Sequence, residues 1–430
     1  MINNWKIDWL LNYALKLSTR FSSVVANERE DYSEDRVKVF FHKDRLSAFL
    51  EGNDQTVVPI TFEIWPSLTC DARCPLCTYS LNQARKIADK SSAVYLADTT
   101  NYKHILSQFK EVGVNSIILT GGGEPLINPD LPELTEYIGN LGLAWGMFTH
   151  GMLLNESNIH RMLSSSPRFI RISINAGSSK GHEREYRIGS HTYELVKKNS
   201  ILATNISHQY RKCISLGYAI NGKTSGSELS GMFNFVRDIM EHTNGGVASV
   251  SFRPKVAYYD LKGNPTAVQP SSANLPQLIE QVDKLVIAPL KKEFANDLRI
   301  DFKRGMFNRL YCKTPLLQSL AMGWTGSIDE KGGAYILSEL NGSTWPNAQF
   351  GNFSNSSFSN VWHGKLRQEI FTKYISGELR APLHHKLSHI DETLIDIRSN
   401  IGMMTKSEIQ VFWGLFENLN LNRPSNWDFL

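Results

Sequence analysis

Between residues 60 and 303 the 430-residue sequence alternates short β-rich runs with helix-compatible segments. This predicts an α/β fold with parallel strands and crossover helices. The β-rich runs lie near 60–65, 115–120, 143–148, 168–174, 214–220, 247–253 and 298–303. Helix-compatible segments lie near 100–112, 131–141, 156–163, 191–204, 226–242 and 274–294. Six or seven such units predict a partial or full TIM-like (β/α) barrel, whose chemistry sits on loops after the carboxyl ends of strands. No solenoid-type repeat is visible.

The flanks read differently. Residues 4–20 predict an amphipathic helix with Trp5, Trp9, Leu10, Tyr13 and Leu17 on one side. It either docks on its own domain or meets a membrane surface or partner. Residues 28–36 read as a charged linker, 37–41 as a strand and about 43–51 as a short helix. After about 305 the texture changes: Gly, Ser and Asn crowd 322–360, and 384–430 reads as helical. The expected division is 1–59 as an N-terminal segment, 60–304 as the barrel core and 305–430 as a smaller C-terminal extension.

Composition limits the function. With 41% hydrophobic and 20% charged residues the chain is ordinarily globular. Lys and Arg number 46 against 42 Asp and Glu, a net +4 that does not argue for nucleic acid. No apolar run reaches transmembrane length, and the N-terminus lacks the features of a signal peptide. A cytoplasmic protein is expected.

There are five cysteines, and three of them, Cys70, Cys74 and Cys77, fall within eight residues after the first predicted strand. That is a poor disulfide framework and a plausible metal-binding cluster. Three thiolates are one short of a closed four-thiolate site. A structural zinc site would want a fourth Cys or His. The missing ligand leaves one metal position open to a substrate or cofactor.

C-x3-C-x2-C in this position resembles the radical S-adenosylmethionine (SAM) superfamily. The resemblance implies that Cys70, Cys74 and Cys77 hold three irons of a [4Fe–4S] cluster. SAM would chelate the fourth iron, and one electron would cleave it to methionine and a 5′-deoxyadenosyl radical. An electron donor such as flavodoxin or ferredoxin is implied as partner. Leu76 stands where the family usually has an aromatic residue beside the adenine.

Further motifs follow in order. Gly121-Gly122-Gly123-Glu124-Pro125 ends the second predicted strand. Consecutive glycines let a backbone approach a ligand closely, and Glu124 offers an acceptor to an ammonium group. The run resembles the family's GGEP element, which implies SAM contacts for Gly122, Gly123, Glu124 and Pro125. Thr149-His150-Gly151 resembles the family's T-N-G turn, with His150 replacing Asn. This implies a cofactor contact for Thr149, and His150 faces the substrate cavity if it lies at the strand's carboxyl end.

On the fourth strand, alternation puts Arg171, Ser173 and Asn175 on one face and Ile170, Ile172 and Ile174 on the other. The resemblance implies that Ser173 and Asn175 contact SAM and that Arg187 pairs with its carboxylate. Arg253 and Lys255, ending the sixth strand, are candidates for an anionic substrate group, and Tyr79 is a further cavity candidate.

The segment after 305 resembles the SPASM/twitch extension, in Gly326-Ser327-Ile328-Asp329, Gly351-Asn352-Phe353 and Phe358-Ser359-Asn360-Val361-Trp362. Where that extension carries cluster cysteines, this chain has Tyr335-Ile336-Leu337 and Ala381-Pro382-Leu383-His384-His385. Cys312 and the distant Cys213 cannot hold a second four-iron cluster by the usual ligation. One cluster and redox-neutral chemistry are therefore expected: rearrangement, elimination or epimerisation. The favoured substrate is a small polar molecule, sugar- or nucleotide-like. The alternative is a ribosomally made peptide, and a catalytically silent iron–sulfur protein is the remaining reading.

Overall fold

A computed structural model of the chain describes residues 5–23, 35–75, 77, 94–255, 274–312, 319–336, 349–378, 387–423 and 426–429. Its centre is a run of seven parallel strands: β1 Thr61–Ile64, β2 Ser116–Leu119, β3 Ala144–Thr149, β4 Phe169–Ser173, β5 Ile214–Ile220, β6 Ser249–Pro254 and β7 Arg299–Phe302. They lie side by side in chain order. Helices join them, Thr99–Glu111 after β1 and Gly226–His242 after β5 among them. Among the described residues the two ends of the sheet are not paired with each other.

Local chemistry explains why the crossover helices start where they do. Asp98 accepts from the Asn101 amide at 2.7 Å, and Ser225 accepts from that of Glu228 at 3.3 Å. Asn155 and Asn158 exchange bonds across the first turn of Glu156–Ser164, each at 3.0 Å. Such caps satisfy amide donors that the helix itself cannot.

Residues after 304 share the main sheet. β8, Thr325–Ile328, pairs in parallel with β1, with Thr61 opposite Thr325 and Ile64 opposite Ile328. β9, Gly333–Tyr335, and β10, Gln349–Asn352, follow antiparallel. The stretch crowded with Gly, Ser and Asn therefore supplies three short strands. Helix Phe358–Trp362 packs behind β1, where Phe62 stacks on Phe109 at 4.0 Å and meets Trp362 at 5.6 Å.

Two expectations at the N-terminus are corrected. Residues 37–41 form helix Asp35–Lys38 and a 3-10 turn, Val39–Phe41, instead of a strand. Val37, Val39 and Phe40 are all buried, which one face of a strand cannot achieve, and Phe40 stacks on Phe416 at 5.9 Å. Short apolar runs suit either element, and here helical neighbours decided. Helix Trp5–Ser23 buries Ile7, Leu10, Ala14 and Leu17, whereas Trp5 is 49% exposed. It docks on the C-terminal helices, with the Tyr13 hydroxyl donating to Asp396 at 2.6 Å. The expected linker at 28–36 lies mostly outside the described residues.

Candidate active site

The loop after β1 carries the three clustered cysteines, each partly exposed. Burial, with Cys77 and then Cys70 close by, pushes the Cys74 thiol well above its usual value. Like charges raise one another's cost, so three thiolates gathered this closely want a cation between them. The donor set thus fits a metal cluster, with Cys70, Cys74 and Cys77 as its holders. Leu76 and Tyr79 lie outside the described residues.

The glycines after β2 join the two loops. A Cβ on Gly123 would sit 2.0 Å from the Thr69 carbonyl oxygen, and one on Gly122 would sit 2.3 Å from Leu68. The Glu124 amide donates to the Thr69 carbonyl at 2.9 Å. Any side chain at 122 or 123 would push the β2 loop off the cysteine loop. Pro125 is buried and opens a 3-10 turn, Pro125–Ile127.

Glu124 is 3% exposed, and both its oxygens are engaged by the protein. Oε1 accepts from the Thr149 hydroxyl at 2.6 Å and the Leu126 amide at 3.2 Å. Oε2 accepts from the His150 amide at 2.9 Å. The carboxylate therefore clamps the end of β3 to the end of β2.

His150, buried, aims Nε2 at Asp71 Oδ1, 2.7 Å away. Burial opposes a charge on this ring, but Glu124 and the hydrogen bonds to Asp71 and Cys70 outweigh it and push the ring up to about 10. The Met152 amide, donating to Nδ1 at 3.1 Å, pulls toward the neutral form with its proton on Nε2. In either form Nε2–H donates to Asp71. Burial works to raise Asp71, yet its bond to His150 holds it below the usual range. Cys70, Asp71 and His150 bring their ligand atoms within 4.8 Å of one another. Asp71 was invisible to motif reasoning because it fills a variable position inside the cysteine spacing.

At the end of β4, Asn175 takes a left-handed conformation, φ 56°. Its Oδ1 accepts from the Ala219 amide at 2.8 Å, and its Nδ2 donates to the Tyr186 hydroxyl at 3.0 Å. That hydroxyl donates in turn to the Ser173 carbonyl. The Tyr186 carbonyl accepts from the Arg73 amide at 2.8 Å, which ties this corner to the cysteine loop. Tyr186 is a connector that the sequence did not announce. Arg187 follows, exposed and left-handed at φ 51°, as the helix cap. At the end of β6, Lys255 pairs with Glu185, and Arg253 is partly exposed. Cys213 is buried apart from this loop, and burial pushes its thiol up to about 12. The side chain of Cys312, and His384 and His385, lie outside the described residues.

Strand order, the cysteine loop and its clasp on the β2 loop define a class. Residues 66–224 match the family model of the radical SAM superfamily. The chain carries a radical SAM domain, a family that implies a [4Fe–4S] cluster and SAM.

Among individual proteins, it is 31% identical to a PqqA peptide cyclase of Gluconobacter oxydans (strain 621H) over 115 residues, 27% of this chain and 30% of that one. It is 25% identical to a PqqA peptide cyclase of Xanthomonas oryzae pv. oryzae (strain MAFF 311018) over 235 residues, 54% and 56% of the two. The chain thus spans between about a third and a little over half of these relatives. Streptococcus suis SuiB bound to S-adenosylmethionine superposes with a TM-score of 0.57 at 14% identity, covering 84% of this chain and 78% of that one. SuiB bound to its precursor peptide SuiA gives 0.54 at 16% identity, covering 78% and 70%. These likenesses concern the fold. Among the described residues no helix is long and apolar enough to cross a membrane.

Proposed function

We propose that this chain is a radical SAM enzyme that modifies a ribosomally made peptide. The observation that carries the enzyme reading is the cysteine loop after β1, with Cys70, Cys74 and Cys77 gathered and locked to the β2 loop through Gly122 and Gly123. When bound, the cluster supplies the electron that cleaves SAM and so generates the radical. The protein's own part is positional. Glu124, Thr149 and His150 hold two loops in register, and in this proposal Ser173, Asn175 and Arg187 contact SAM, as the family resemblance implies.

The substrate reading departs from the sugar- or nucleotide-like molecule favoured by sequence. The curated relatives are named peptide cyclases, and one structural neighbour holds a precursor peptide, so the peptide alternative is better supported. Residues 305–430 serve in this proposal as a SPASM-like extension without a cluster of its own, and flavodoxin or ferredoxin as the electron donor.

Anaerobic reconstitution tests the enzyme reading. About four irons per chain and 5′-deoxyadenosine from added SAM are expected. Ala at Cys70, Cys74 and Cys77 should abolish both, and 5′-deoxyadenosine from that variant would overturn the assignment. Short peptides encoded beside the gene should change mass on incubation, whereas a mass change confined to sugars or nucleotides would restore the rival substrate.

A further inference from the structure

Strand alternation divides the sheet into two faces. One packs on the helices, where Phe62 meets Phe109, and Tyr218 stacks on Phe252 at 5.2 Å. The other bears Glu63, Arg171, Ser251, Arg253 and Asp301, so charge lines its inner surface. Arg171 sits over Phe148, its guanidinium carbon 3.7 Å from the ring centroid. A Cβ on Gly217 would stand 3.1 Å from Arg171 Cδ and 3.2 Å from its Nε. Gly217 is thus the gap through which the arginine leans from β4 across β5, toward Arg253 on β6.

The two guanidinium groups share a field, and burial together with Arg253 makes a charge on Arg171 costly. A guanidinium cannot shed its proton in a protein, so the cost is met by an anion. The charges of Asp301 and Glu63 act on Arg171. Among the described residues Arg171 Nε is nevertheless buried with no hydrogen-bond partner, and neither arginine makes an ion pair. Asp301 is held by Lys303 at 3.0 Å, Glu185 pairs with Lys255, and Glu63 is the remaining nearby carboxylate. The Tyr186 carbonyl holds the cysteine loop through the Arg73 amide at 2.8 Å, and the charge of Arg253 is felt at the Tyr186 hydroxyl, so Arg253 lies on the side of the sheet that meets the cysteine loop.

We propose that Arg171 and Arg253 bind a substrate carboxylate, so that the modified peptide carries an Asp or Glu side chain beside the residue that reacts. The proposal rests on the peptide-modifying reading above. Planar guanidinium forks suit a carboxylate, and Arg253 stands at a carboxyl strand end, where barrel chemistry is placed. SAM has a carboxylate too, and the test separates the two sources.

The probes are N-acetylglutamate amide and its glutamine isostere, titrated into reconstituted, SAM-saturated protein and followed by ligand-observed NMR. The acid should bind at least about tenfold more tightly than the amide. Arg253→Gln and Arg171→Gln should each shrink that preference to under about threefold. Gly217→Val should do the same by displacing Arg171, and it leaves both charges in the chain. Equal binding of the probes, or no binding of the acid at millimolar concentration, would overturn the proposal. So would a fall in SAM affinity with the acid preference intact, which assigns the arginines to SAM. Failure of the radical SAM reading shows separately, as missing iron or missing 5′-deoxyadenosine.

Discussion

His150 stands where the family's turn usually has Asn, and its contacts make that difference chemical. Its ring bonds Asp71 and lies beside Cys70, with the ligand atoms of all three within 4.8 Å of one another, while its own amide is held by Glu124. A protonated ring beside a cluster thiolate offsets negative charge and favours the reduced state. His150→Ala should therefore keep about four irons per chain and lower the cluster's midpoint potential, as read by an EPR-monitored redox titration. An unchanged potential would show that the ring serves Asp71 alone. The T-H-G motif was legible from sequence, but its clamp was not. Glu124 lies 25 residues before Thr149, and only adjacent strand ends bring the two to 2.6 Å.

Among the elements, β8 and helix Phe358–Trp362 show how a segment that looked detached becomes part of the core. Trp362 is fully buried, donates Nε1–H to the Val57 carbonyl at 2.9 Å, and carries the Arg367 guanidinium 3.7 Å above its ring. Trp362→Ala should cost about 3–5 kcal/mol in urea unfolding, while far-UV circular dichroism stays native. A loss below about 1 kcal/mol would mean that the extension is packed only loosely on β1. The crossover helices were readable because caps and periodicity are local signals. β8 was not, since Thr-Gly-Ser-Ile has little alternation and its partner β1 lies some 260 residues away.

At the scale of the whole molecule, the two ends of the chain are packed together. Arg36 bonds Thr393 at 3.2 Å and Asp396 at 2.9 Å, and His42 donates Nε2–H to the Trp427 carbonyl at 2.9 Å. Burial pushes His42 down to about 3 against the pull of that bond, with Arg45, Lys38 and Arg423 adding to the effect. The unfolded chain takes up this proton near pH 6.5 and the folded one only near 3. The resulting stability is present above about pH 6.5 and drains away as the pH falls toward 3, at up to about 1.4 kcal/mol per pH unit. His42→Gln should flatten the fall in unfolding free energy between about pH 6.5 and 4.5. An equal slope in both proteins would remove His42 as its source.

What the sequence determined by itself was the alternation of strands and helices between 60 and 303, the cysteine spacing and the glycine-rich turn. Each is written within a few neighbouring residues, where propensity, capping and alternation act. Tertiary structure decided the rest. It turned 37–41 into helix, joined β8 to β1, closed Glu124 onto Thr149, and leaned Arg171 over Gly217 toward Arg253. Burial and charge at these places depend on which distant segments meet, and no local stretch of sequence encodes that meeting.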